Sequence, residues 1–97
     1  MSVFVITAAR RDDKGEVSEV LMAAAGLRPN GDIDHAQPVS TPVIEVVNHM
    51  QRGDRVHLLF DKLGPAVKTK VLPGGMETIE DAVVAHPGVA LADLPTF

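Results

Sequence analysis

The chain has 97 residues, enough for one domain and too few for two, so 1–97 is expected to fold as a single domain. Hydrophobic residues make up 45% of it, which supplies a core without staples, and the lack of cysteine excludes a disulfide framework and a Cys-based zinc site. The formal charge of −4 argues against nucleic acid as a partner, because duplex binders carry a basic domain or a basic face.

The opening MSVFVITAARRDD has no basic stretch ahead of its apolar run, and that run is too short for a signal peptide or a membrane span. No later stretch is long enough either. A cytoplasmic location without membrane contact is the expectation.

Val3 to Arg10, β-branched and small, reads as a strand. Arg11-Asp12-Asp13-Lys14-Gly15 is a turn, and Glu16 to Met22 is the return strand. Pairing Ile6 with Val20 sets Phe4 by Met22 on one face and Val5 by Leu21 on the other. Residues 23–40 form a long loop, either functional, mobile or hiding a short element.

Thr41 as N-cap and Pro42 at the first helical position start a helix of about three turns that Gly53 ends. Val43, Val46, Val47 and Met50 share its apolar face, with Glu45, Asn48, His49 and Arg52 opposite. Arg55 to Asp61 alternates as a strand, as does Val67 to Val71. A hairpin turn at Lys62-Leu63-Gly64-Pro65 sets Phe60 beside Val67 and His57 opposite Lys70. Pro73-Gly74-Gly75 is a turn. After it, Met76 to Asp81 forms a last strand, or Thr78 caps a short helix running to His86; the strand is slightly favoured. The apolar end, Val89 to Phe97, is expected to pack on the body.

The resulting fold class is α+β: an antiparallel sheet of four to five strands in ββαββ order, with one main amphipathic helix on one face.

Four constellations could carry function. Arg55, His57, Lys68 and Lys70 share a face of the second hairpin, where positive groups could receive phosphate or carboxylate; strand lysines also commonly guard a sheet edge. Asp32, Asp34 and His35 are weak candidates for a divalent cation, against the ordinary account of a solvated turn. Glu45 and His49, four apart on the helix, fit a carboxylate and a base, or a plain surface contact. Val3, Val5, Val17 and Leu21 make the second face of the first hairpin apolar as well, which calls for a cover: the tail, or a second copy in a two-fold homodimer. The homodimer is favoured.

No catalytic motif is present: Gly74-Gly75 lacks phosphate-loop spacing, and no serine sits in an elbow or triad pattern. No catalytic residue and no cofactor are expected. The function expected is therefore a non-catalytic binding or self-association module with an unknown protein partner. The alternative is a small enzyme or an anion- or small-molecule-binding protein using the basic face.

The segments VITAARRDDKGEV, VIEVVNHMQRGD and LADLP together resemble a family of small bacterial proteins of unknown function. The resemblance implies a ββαββ domain. Its family carries no assigned activity, so no functional residue transfers, and the loop at 23–40 is longer than the family's pattern.

Overall fold

The computed structural model describes residues 2–30, 33–60, 63–82 and 90–97. Among them run strands β1 (Val3–Arg11), β2 (Val17–Leu27), β3 (Ile33–His35) and β4 (Val39–Pro42), helix α1 (Val43–Gln51), and strands β5 (Arg55–Leu59), β6 (Leu63–Val71) and β7 (Glu77–Asp81). They form one mixed sheet in the order β3-β2-β1-β5-β6-β7, with β4 also on β2. β1 and β5 are parallel, and the other pairs are antiparallel.

The ββαββ order and the antiparallel sheet of four to five strands are therefore corrected to seven strands with a parallel centre. Two features make the difference. The segment 23–40 holds short elements, one of the three possibilities open for it: β2 runs on to Leu27, and β3 and β4 fold back along it at Ala25–Leu27 and Glu19–Met22. The helix then carries the chain across β1, and a connection of that kind delivers the next strand parallel.

The first hairpin is offset from the expected pairing, since Ile6 faces Met22 rather than Val20. Its turn is set by Asp12, whose Oδ1 accepts from the amides of Lys14 and Glu16 at 2.8 and 3.1 Å. Gly15 takes the positive φ of 82° that closes it. Two register shifts interrupt the ladder, one between Ile6 and Ala8 and one between Arg10 and Arg11. Each inserts a residue and turns the following side chains to the other face. The core face therefore takes Ile6 and then Ala9, opposite Met22 and Val20.

Helix α1 lies against β2, β4, β5, β6 and β7. Val46 and Val47 are fully buried, and Val43 and Met50 pack on the cluster edge. Complete burial of a valine contributes roughly 1.5–3 kcal/mol, so this stripe fixes the helix. The N-cap is Pro42, with extended backbone and no side-chain bond. Thr41, expected to cap, belongs to β4 instead; it is buried and donates to the Val39 carbonyl at 3.0 Å. His49, expected to face solvent, is half-buried.

The second hairpin is also offset. His57 pairs with Ala66 rather than Lys70, and Leu59 with Leu63, so β6 starts inside the stretch expected as turn; Lys62 itself lies outside the described residues. Gly64 makes this close return possible. A Cβ there would lie 2.9 Å from the Leu58 carbonyl oxygen and 3.3 Å from the Phe60 ring. Gly64→Ala is expected to cost about 1–3 kcal/mol, read as a fall in melting temperature. Gly26→Ala, which meets nothing within 4 Å, is the control and should not lower it.

β7 is a strand, as favoured, paired with β6 from Val67↔Asp81 to Val71↔Glu77. This β6–β7 ribbon returns over α1 to reach β2, where the buried Thr78 hydroxyl donates to the Val17 carbonyl at 3.1 Å. The chain end packs on the body: Ala90, Leu91 and Leu94 are buried, and the Ala9 amide donates to the Pro95 carbonyl at 2.9 Å. It continues along β1 beyond Val3–Ile6, the stretch that β5 occupies, to Arg10, whose guanidinium lies 4.6 Å over the Phe97 ring.

Candidate functional site

β5 and β6 part company. Their ladder spans His57↔Ala66 and Leu59↔Leu63, and beyond Ala66 the strand β6 pairs with β7 while the start of β5 stays with β1. The divergence opens a wedge that the last turn of α1 closes on its third side. It forms a cleft of about 460 Å³ whose polar lining is Gln51, Asp54, Arg55, His57, Lys68 and Thr69.

Arg55 enters from the first residue of β5, where its amide donates to the Ser2 carbonyl at 2.9 Å, and its guanidinium is exposed. Among the described residues it makes no ion pair. His57 is half-buried, and its Nδ1–H donates to the Gly64 carbonyl at 3.1 Å. That bond occupies Nδ1 and leaves Nε2 as the ring nitrogen open to a ligand. Lys68 stands across the wedge with Nζ 3.5 Å from Glu80 Oε1, and both side chains are well exposed. Exposed pairs of this kind are worth little, so the ammonium is free to exchange partners.

Three of the four basic residues expected to act together thus line one cleft. Lys70 does not: it is half-buried further along β6, opposite Thr78.

Asp54, which the sequence reading missed, ties the cleft to its surroundings. Its Oδ1 accepts from the Ser2 amide at 3.0 Å, and its Oδ2 accepts from His49 Nδ1–H at 3.0 Å. The His49 ring in turn lies 4.5 Å from Phe4, centroid to centroid. His49 therefore pairs with Asp54 rather than with Glu45, which is exposed. The available signal was Asp54 directly after the helix-ending Gly53, one turn past His49.

The Ser2 amide first, and the His49 ring second, hold the Asp54 carboxyl below its ordinary range. A lowered folded-state value means that the unfolded chain takes up the proton first as the medium is acidified. The stability this group contributes is thus present above about pH 4 and lost as pH falls through the lowered value. Asp54→Asn should melt below the parent at neutral pH, with the gap narrowing below about pH 4. Melting curves across that range check it, and a constant gap would contradict it.

The other candidates are placed as follows. Asp34 accepts from the Arg28 guanidinium, and His35 Nδ1–H donates to the Ala36 carbonyl at 2.8 Å, while Asp32 lies outside the described residues. Among the described residues no three His, Cys, Asp or Glu side chains form a group suited to a metal ion. The four residues expected to form one apolar face do not share one: Val17 belongs to the core cluster with Ile6 and Ala9, while Val5 is buried on the other side of β1 and Val3 and Leu21 are half-buried. No described helix is long and apolar enough to cross a membrane.

In comparison with known proteins, no family model, no curated protein and no solved structure matches the chain.

Proposed function

We propose that the protein is a non-catalytic binding module whose ligand is a small anion, a phosphate or carboxylate group held in the cleft between β5 and β6. The observation that carries this is the convergence of Arg55, His57 and Lys68 from two diverging strands on one cavity of about 460 Å³. Each contact from an exposed cation to an anion is screened by solvent and contributes little alone, so binding rests on several of them acting on one ligand. Arg55 offers a planar fork of donors, Lys68 a mobile point charge, and Gln51 and Thr69 neutral hydrogen-bonding groups, while the Asp54 carboxylate on the same lining is engaged by the Ser2 amide and His49. Nε2 of His57 adds a further hydrogen-bonding position on the same cleft. Thr69 is the one hydroxyl among the described lining residues and has no base-and-orienter pair behind it, which favours binding over catalysis. A place in the cytoplasm goes with this function, and a chain without cysteine suits it.

Calorimetric titration of inorganic phosphate and of short dicarboxylates tests the proposal. The parent should bind one of them, more weakly as salt is raised. Arg55→Gln with Lys68→Gln should weaken binding by at least about tenfold, or roughly 1.4 kcal/mol. Unchanged affinity in that variant, or no binding of either anion class, would refute it.

A further inference from the structure

At the opposite end of α1 from the cleft, two hollows of about 510 and 430 Å³ adjoin, sharing Asp12, Glu16, Leu72 and Met76. They lie between the β1–β2 turn, the first turn of α1 and the tip of the β6–β7 ribbon. Gly74 and Gly75, at φ of 96° and 89°, turn the ribbon so that Met76 stands at the groove's edge. The lining is aliphatic and open: Met76 is 73% exposed and Ile44 is 51% exposed, with Leu72 half-buried and common to the two hollows.

The rim is acidic. Asp12, Asp13, Glu16 and Glu77 border the two hollows, against Lys14 as the one cation among the described lining residues. Asp12 is engaged by the turn amides and Glu77 accepts from Gln51 at 3.4 Å. The carboxylates of Asp13 and Glu16 have no partner among the described residues.

We infer that this groove docks a segment of another protein that presents an aliphatic side chain flanked by lysine or arginine. The apolar lining accounts for the aliphatic group, and methionine adapts readily to varied shapes. The unpaired carboxylates account for the basic flanks, since complementary charge around an apolar centre sets specificity and register. The inference is independent of the anion cleft, because the two sites share no lining residue.

Three labelled peptides of equal length test it by fluorescence anisotropy: one of leucine and lysine, one of leucine and glutamate, and one of glycine and lysine. The leucine–lysine peptide should bind at least tenfold more tightly than either of the others. Met76→Ser and, separately, Asp13→Asn with Glu16→Gln should each weaken it several-fold, with circular dichroism showing an intact fold. Equal binding of the glycine–lysine peptide would overturn the inference, as would variants that bind like the parent. Concentration-dependent self-association that Met76→Ser abolishes would also overturn it, by giving the groove to a second copy.

Discussion

Val47→Asp is expected to leave little folded protein at room temperature. Val47 is fully buried on the face of α1 that meets the sheet, within the hydrophobic core cluster. An unpaired carboxylate in that position either stays ionised at a cost of several kcal/mol or takes up a proton and remains unsatisfied. A domain of this size has only about 5–15 kcal/mol in total. Asn48 is the next residue and is exposed, so Asn48→Asp should stay within about 0.5 kcal/mol of the parent. Urea unfolding of the two variants checks the pair. Similar midpoints would contradict the packing of α1 on the sheet.

Leu58→Ala should produce the second largest loss, about 2–5 kcal/mol. Leu58 is fully buried on β5 and stands beside Ile6 in the parallel ladder that joins the two halves of the sheet. The cavity left there is bounded by strands on both sides, which restricts collapse and places the cost toward the upper end of that range. Val71→Ala, at a site 65% exposed, should cost less than about 0.5 kcal/mol. Equal losses at Leu58 and Val71 would remove β5 from the centre of the fold.

The helix and the turn at Gly74-Gly75 were legible in the sequence because each depends on local signals, an apolar stripe at helical spacing and a glycine pair. The last strand does not alternate and was only slightly favoured over a helix capped by Thr78. The register of the first hairpin was not, because Thr7 is an extra residue in β1 where the ladder shifts. An apolar run that looks two-faced is what a bulged strand presents, with Ile6 and Ala9 on the same side and Val5 and Ala8 on the other. The homodimer expectation rested on that apparent second face, whose Val5 is buried within one chain. The strands β3 and β4, three and four residues long, carry too little periodicity to stand out in 23–40. Parallel pairing of β1 with β5 is a long-range contact that neither segment announces.

The site was legible to the extent that it is chemical. Arg55, His57 and Lys68 stand out as basic residues on two neighbouring strands, although the register expected for them was wrong. What unites them is the gap where β6 leaves β5, and the split depends on the ribbon's attachment to β2 through Thr78. No local pattern around residues 55–70 encodes that attachment. Asp54 was missed because its partners, Ser2 and His49, are brought to it by the fold.

The most direct test of the anion cleft is a titration of the isotope-labelled protein with inorganic phosphate, followed by amide chemical shifts. The shifts should move at Gln51, at Asp54 through His57 and at Ala66 through Thr69, and stay still at the far end of α1 around Ile44 and Met76. Saturable movement confined to those cleft residues is the predicted result. Movement centred anywhere else, or none up to millimolar phosphate, would contradict it.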